Sequence, residues 1–497
     1  MTLESLAPTV LLASAVIVIA VVGVRFAGRL GVPGLLLYLI IGLAIGWAFP
    51  GIGVENTELA TVLGYSALAL ILAHGGLTTR WSQLRPVLAP SLALATVGLG
   101  VSILVVVLPL IWLSGLDMRA ALVLSAALAA TDAAAVFSVL RRIHVLPRVR
   151  ALLEGESGFN DAPVVVLITL LAVEPTVADP WLVPLLVVVE LLGGAAIGIV
   201  AGFAVRWLMP RLALPAVGLY PIAALALLVA TAALADLAHV SGFMAIYVAA
   251  VILAASKSLP HRRSVLGFSD GLSWIAEIGL FVMLGLLVEP ARLPQSVGIA
   301  LVAAVALVLV GRPLAACVSL IPFRTPGPIV AFTSVAGLRG AVPIVFATIP
   351  LGLGMPGAQQ VFDATFIVVF ALTLVQTPLM PWAARRLGVE ESTQAGELDV
   401  DVAPLDGVHA AVLGFDIPQG SRLAGTYVRE LGLPQHAVVS LVIRADDVLV
   451  PDAETRLRAG DRLVVVATNE VRHAAERRLQ ALSRGGRLAR WHGEVDD

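Results

Sequence analysis

The chain has 497 residues, of which 59% are hydrophobic and 13% charged, with a mean hydropathy of +0.96 and a formal net charge of −2. A water-soluble fold of this length has no use for so much apolar side chain, so the chain reads as a polytopic membrane protein, and its near-neutral charge gives no sign of a nucleic-acid or acidic partner. The single cysteine, Cys317, lies in an apolar run and excludes an intrachain disulfide framework.

Hydropathy predicts about thirteen apolar spans, near 6–24, 33–50, 58–77, 86–113, 119–140, 151–173, 181–208, 216–236, 240–256, 268–288, 296–321, 328–350 and 360–384. Residues 8–23 imitate a signal peptide, but Arg25 and Arg29 follow the run and only Glu4 precedes it. That polarity is wrong for a cleaved signal, and a first transmembrane helix is expected. Alternate loops carry Arg25 and Arg29; Arg80 and Arg85; Arg141, Arg142, Arg148 and Arg150; Arg206 and Arg211; Lys257, Arg262 and Arg263; Arg324; and Arg385 and Arg386. The intervening loops carry only Arg119 and Arg292. The positive-inside rule then puts the N-terminus outside and the C-terminus in the cytoplasm.

Three interruptions stand out in the apolar spans. In span five, Thr131-Asp132 falls near mid-membrane, where Thr131 can hydrogen-bond its own backbone and ease a helix break. Asp132 there either lines an ion path or pairs with a neighbouring helix. In span six, Glu154, Glu156, Ser157, Asn160 and Asp161 fall within eight residues and precede a Val/Leu/Ile run. On a helix Ser157 and Asp161 share a face, and an intramembrane carboxylate is costly enough to mark a function. The alternative is a helix N-terminus at the membrane surface, with Glu154 and Glu156 as solvated first-turn acids. In span twelve, Gly337-Leu338-Arg339-Gly340-Ala341-Val342-Pro343 places a permanent cation between helix breakers. Arg339 needs a carboxylate, with Glu156 and Asp132 the candidates. Spans five and twelve stand seven apart, the spacing of an inverted repeat with two discontinuous crossing helices. His74, Glu190, Asp236, Glu277 and Arg312 lie in or near spans and are equally well explained by interhelical pairing. Gly193, Gly194 and Gly198 read as close helix packing.

Residues 388–402 are polar and acidic and read as a linker. A small α/β module follows over 403–483, with strands expected at His409–Phe415, Ala437–Arg444, Val448–Pro451 and Asp461–Ala467. Helices are expected at Ser421–Leu431 and, capped by Asn469, over 469–482, with a turn at Ala445-Asp446-Asp447 and a disordered tail over 484–497. No strand-borne G-x-G-x-x-G and no phosphate-binding P-loop is present. No cofactor is implied, and any transport must run on an ion gradient.

Three motifs carry a family resemblance: TDAAAVFSVLR at 131–141, EGESGFNDAPVVVL at 154–167 and GLRGAVPIVFA at 337–347. SGFMAIYVAAVILA at 241–254 and FVMLGLLV at 281–288 add to them. The chain resembles bacterial monovalent cation/proton antiporters, most closely the potassium/proton branch ending in a TrkA-C (regulator of potassium conductance, C-terminal) domain. RLAGTYVRELGLP at 422–434 and VLVPDAETRLRAGDRLVVV at 448–466 match that domain. The resemblance implies an all-α membrane domain over 1–387, with a moving core near 84–173 and 296–387 and a dimerisation part near 1–80 and 181–288. It implies that Asp161 takes either a proton or a potassium or sodium ion, with Asn160, Thr131 and Ser157 as oxygen neighbours. Asp132 would support the crossing, and Glu156 and Arg339 would form a structural ion pair. His74 and Glu277 depart from the family pattern, where an aspartate and a glutamine are expected, and are candidate modulators. The family's location is the bacterial inner membrane, its assembly a homodimer, and some relatives of the module bind cyclic dinucleotides.

A buried carboxylate favours the proton, and a bound cation favours the ionised form, so one such group couples the two. The reading is therefore an electroneutral antiporter working by alternating access. A module-regulated potassium channel would need a TVGYG-like filter, and Leu63-Gly64-Tyr65-Ser66 is not one. A proton-coupled carrier of a small organic solute is the other alternative.

Overall fold

The computed structural model describes residues 10–11, 14–23, 34–48, 57–132, 135–136, 143, 145–173, 182–256, 259–390, 399–405, 410–417, 421–444, 447–468 and 470–485. Arg25, Arg29, Arg141, Arg142, Lys257, Ala445, Asp446, Asn469 and residues 486–497 lie outside them, so the expectations resting on those positions have no structural counterpart here. The chain forms two compact units, residues 1–390 and 391–497, each with its own apolar core.

The first unit is helical. Its helices are α1 (Ser14–Gly23), α2 (Gly34–Ala48), α3 (Thr57–Thr78), α4 (Trp81–Ser114), α5 (Met118–Ala129), α6 (Pro147–Ala172) and α7 (Leu182–Leu208). They continue with α8 (Leu219–Leu237), α9 (Gly242–Ala254), α10 (Arg262–Leu286), α11 (Leu293–Phe323), α12 (Gly327–Val335), α13 (Ala341–Gly352) and α14 (Ala358–Leu387). Among the described residues, seven of these are long and apolar enough to cross a membrane. A lipid-facing backbone has no water to bond, which leaves the helix as the available solution for these segments. Local chemistry sets several ends. Asp117 accepts the Arg119 N–H at the start of α5, and Ser241 accepts the Met244 N–H at the start of α9. Arg119 also donates to the Leu171 and Val173 carbonyls at the end of α6, at 2.5 and 3.0 Å.

Each expected span contains helix in the described residues, and spans five and twelve are broken as anticipated. Span five stops at Ala129 and runs through extended Ala130; span twelve is divided into α12 and α13 by residues 336–340. A second pairing was not visible in the sequence. π-helical turns interrupt α4 at Leu94–Gly98 and α11 at Leu307–Gly311, again seven spans apart.

The helices pack in two groups. In one, α10 lies on α2 and α3, and α9 on α3, α7 and α8. The expected tight glycine packing is present: a Cβ on Gly194 would lie 2.3 Å from the Ser241 carbonyl and one on Gly198 2.5 Å from that of Ala245. In the other group, α4 packs on α5 and α11, α5 on α6 and α14, and α14 on α11 and α13. The groups meet where α3 touches α13 and where α6 touches α7 and α9.

The second unit is a five-stranded antiparallel sheet, β1 (Asp399–Leu405), β2 (Ala410–Asp416), β3 (Ala437–Arg444), β4 (Asp447–Leu449) and β5 (Asp461–Thr468), in the order β1-β2-β5-β3-β4, with α15 (Arg472–Gly485) against β5. Two expectations are corrected. The segment read as linker supplies β1, and its first residues close the membrane unit through a bridge between Val145 and Glu390. Ser421–Leu431 is not a helix; only a 3₁₀ turn forms, at Val428–Leu431, because Gly425 (φ 94°) and Gly432 (φ 54°) turn the chain through left-handed conformations. Helix α15 also takes in Arg484 and Gly485, the first two residues of the expected tail.

Asp461 fixes the turn into β5. It accepts two hydrogen bonds of 2.8 Å from Arg444 and one of 2.7 Å from the Arg458 N–H. Burial alone would raise this carboxyl, but those hydrogen bonds outweigh burial and hold it below the ordinary carboxylate value. Its stabilisation is therefore full above the unfolded-state pKa of ~3.9 and fades as pH falls through the lower folded value. Asp461→Asn should lower the stability of the module by about 2 kcal/mol at neutral pH. The difference from wild type should shrink as pH falls from the unfolded-state value of ~3.9 toward and through the lower folded one, as read from circular-dichroism melts of the separately expressed module.

Candidate functional site

Helix α6 opens on Pro147, which sets the first turn, and contains Pro163, whose missing N–H leaves the Phe159 carbonyl without its intrahelical donor. Just before that proline, Glu156, Ser157, Asn160 and Asp161 are all buried, at 1–2% exposure. Thr131, at the break in span five, joins them. Its hydroxyl lies 3.0 Å from Ser157 Oγ and accepts a hydrogen bond of 2.5 Å from Asn160 Nδ2. Asn160 Oδ1 and Asp161 Oδ1 have no hydrogen-bond partner. Two acceptor oxygens, buried and unpaired beside two hydroxyls, form a set that a hard monovalent cation or a proton would complete.

The break itself is held by a crossing of backbones. The Asp132 N–H donates to the Leu338 carbonyl at 3.2 Å. Asp132 Oδ1 accepts the Ala135 N–H at 3.2 Å and its carbonyl accepts that of Val136, so Asp132 caps the continuation of span five. Its other oxygen lies over the start of α13, and a Cβ on Gly340 would fall 2.0 Å from Asp132 Oδ2. Only glycine admits this approach. A carboxylate at a helix N-terminus is also favoured by the helix dipole. On the other side, Arg339 Nη1 donates to the carbonyls of Ala129, at 2.8 Å, and of Ala130, the C-terminal groups that α5 leaves unpaired. Thr373 on α14 donates to the Arg339 carbonyl at 2.6 Å.

The structure thus gathers Thr131, Asp132, Ser157, Asn160 and Asp161 at one crossing. It corrects the expected ion pair. Glu156 is bonded by Arg312, at 2.6 Å from Nη1 to Oε1 and 3.3 Å from Nη2 to Oε2, and not by Arg339. Arg339 is turned instead toward the ends of α5, whose carbonyls have no water to bond. Arg312, which also donates to the Thr333 carbonyl at 3.1 Å, is the site residue that sequence reasoning undervalued. The available signal was a second permanent cation, Arg312-Pro313, inside span eleven. His74 and Glu277 belong to the other helix group. His74 Nδ1 is 3.1 Å from Ser269 Oγ and its Nε2 3.4 Å from Asp270 Oδ1 on α10, the interhelical role weighed above. Glu277 is buried on α10 within Coulombic reach of Tyr38 on α2.

Comparison with known proteins agrees with this geometry. Residues 15–386 match the sodium/hydrogen exchanger transmembrane family, and residues 412–480 match the TrkA-C domain. The K(+)/H(+) antiporter NhaP of Alkalimonas amylolytica is 34% identical over 474 residues, 93% of this chain and 82% of that protein. The K(+)/H(+) antiporter NhaP2 of Shewanella baltica (strain OS223) is 33% identical over 466 residues, 92% of this chain and 79% of that protein. Among solved structures, the sodium proton antiporter MjNhaP1 from Methanocaldococcus jannaschii superposes with a TM-score of 0.65 at 20% identity, covering 77% of this chain and 99% of that one, which establishes a shared fold.

Removing one member of a buried ion pair strands the other charge. Glu156→Ala and Arg312→Ala should each cost about 3–5 kcal/mol in thermal stability, and the double variant markedly less than their sum. Gly340→Ala should abolish transport and lower the melting temperature, and Asp132→Ala in the same chain should restore the melting temperature but not transport. Melts in detergent and flux in proteoliposomes measure both.

Proposed function

The chain belongs to the sodium/hydrogen exchanger family, and we propose that it exchanges protons for a monovalent cation, potassium in preference to sodium, at Asp161. The observation that carries this reading is the pair of buried, unpartnered oxygens on Asn160 and Asp161 beside the Thr131 and Ser157 hydroxyls. The preference for potassium rests on the relatives named for potassium/proton exchange.

Charge balance at the crossing supports a one-for-one cycle. Asp132, Glu156 and Asp161 are buried there with Arg312 and Arg339. Three carboxylates against two guanidiniums leave one negative charge, which a single proton or a single monovalent cation neutralises. An uncompensated charge is costly to carry through a low-dielectric region, so the empty site is held back while either loaded form can move. The cycle is then electroneutral.

The helices α4–α6 and α11–α14 form the moving core, and α1–α3 with α7–α10 the part that anchors it and pairs with a second copy. The protein spans the bacterial inner membrane with its N-terminus outside and its C-terminal module in the cytoplasm. The module regulates transport on binding a small ligand, such as a cyclic dinucleotide.

Potassium-driven proton flux in proteoliposomes should disappear in Asp161→Asn while the protein remains folded; equal flux in the variant would refute the site. Clamping the membrane potential with an ionophore should leave the wild-type rate unchanged, whereas flux that follows the potential would refute one-for-one exchange. Deleting residues 399–497 should change the transport kinetics, and unchanged kinetics would reduce the module to an assembly element.

A further inference from the structure

A groove of about 850 Å³ opens on the surface of the membrane unit between α4, α7 and α9. One wall is a helical stripe of α4, Trp81, Leu88 and Leu92; the facing wall is Leu192, Ile199 and Phe203 of α7. From Trp81 to Thr96 the groove follows α4 for about 22 Å at ~1.5 Å per residue, most of the ~30 Å hydrocarbon thickness. Leu192 is 66% exposed and Phe203 54%, so the walls face the bilayer rather than water.

The groove is charged at one end only. Among its described lining residues Arg206 is the one charged side chain. It shares that end with Trp81, which Arg80 and Arg85 flank in sequence; all four side chains are exposed. Glu154 lies nearby, within Coulombic reach of Arg80 and Arg150, and does not line the groove. The floor is made by Phe159 and Tyr247, packed edge to face with ring centroids 5.2 Å apart. Tyr247 is seated on the α6 backbone, where a Cβ on Gly158 would fall 2.3 Å from its Cζ. In sequence Phe159 stands one residue from Asn160 and two from Asp161, and Tyr247 lies within Coulombic reach of Asp161.

We propose that this groove is a binding site for an anionic phospholipid, with the phosphate on Arg206, Trp81 at the membrane interface, and one acyl chain along α4 and α7 over Phe159 and Tyr247. An apolar trough of this length fits a single extended chain. A guanidinium at its mouth favours phosphate through charge-assisted hydrogen bonds, and cations near the surface favour anionic headgroups. Tryptophan beside it suits the interfacial level. The chain closes the lateral face of α6 beside the ion site and fills a seam between the two helix groups. The functional consequence rests on the antiport reading; the binding itself does not.

The test is native mass spectrometry of the full chain in detergent after delipidation, with phosphatidylglycerol or phosphatidylcholine added back. Wild type should retain one phosphatidylglycerol with about a five-fold preference over phosphatidylcholine, the value of one interfacial cation. Arg206→Gln should lose the preference and keep some binding of both lipids. Ala195→Phe, which fills the groove, should lose both, with the melting temperature and elution volume checked against wild type. Asp161→Asn should bind lipid as wild type does, which separates this proposal from the antiport reading. Equal retention in all variants, or no preference in wild type, would overturn it. So would efficient cross-linking of Leu192→Cys between copies in membranes, because the groove would then be a protein interface.

Discussion

A helix that stops inside a membrane leaves backbone groups that no water can bond, and this constraint shapes the centre of the structure. Span five stops at Ala129, and the guanidinium of Arg339 reaches across from the break in span twelve to bond the carbonyls of Ala129 and Ala130. In return, the break in span twelve gives its Leu338 carbonyl to the Asp132 N–H. Each interruption thus supplies what the other lacks, and neither could persist alone. The cost of burying Arg339 and Asp132 is offset by the helix ends they satisfy.

The same reciprocity explains why the Glu156–Arg312 pair exists. Once Arg339 is committed to carbonyl groups, its charge is not cancelled by a hydrogen-bonded carboxylate. Glu156 and Arg312 neutralise each other, and Glu156 also lies within Coulombic reach of Arg339. Asp132 and Asp161 then share one guanidinium's worth of compensation, and Asp161 Oδ1, like Asn160 Oδ1, is left without a donor. The site's chemistry follows from that shortfall. On the proposed antiport reading, that shortfall is met by one positive charge, and a proton and a potassium ion meet it equally well in sign while differing in the space and oxygen ligands they need.

Much of this was legible because expensive residues in apolar runs are conspicuous. Asp161, Asp132 and Arg339 stand out from their neighbours, and the three- and four-residue spacings of Ser157, Asn160 and Asp161 put them on adjoining faces of one helix. What sequence could not supply was the choice of partner. Two arginines, Arg312 and Arg339, compete for Glu156, and the outcome depends on where the end of α5 lies in space. The soluble module failed differently. Asp399-Val400-Asp401-Val402 has strand periodicity, but its acids make it look like linker; pairing with β2 decides the matter. Ser421–Leu431 has helical apolar spacing, yet Gly425 sits in the middle with a left-handed backbone and prevents propagation.

The contrast between bonds within the helix groups and bonds between them bears on movement. Inside the crossing, polar contacts are short and charged, as between Arg312 and Glu156 at 2.6 Å. Where α3 meets α13, Thr61 reaches the Thr348 carbonyl at 3.3 Å and its hydroxyl at 3.5 Å, at the limit of hydrogen bonding. Where α6 meets α9, the contact is the edge-to-face packing of the Phe159 and Tyr247 rings. Dispersion is non-directional and can be re-formed after a small displacement, whereas a buried ion pair has one good geometry. A displacement of one group against the other therefore gives up little, and a displacement within the crossing gives up a great deal. Among the described residues, the ion pair and the short hydrogen bonds of the crossing lie on one side of that seam.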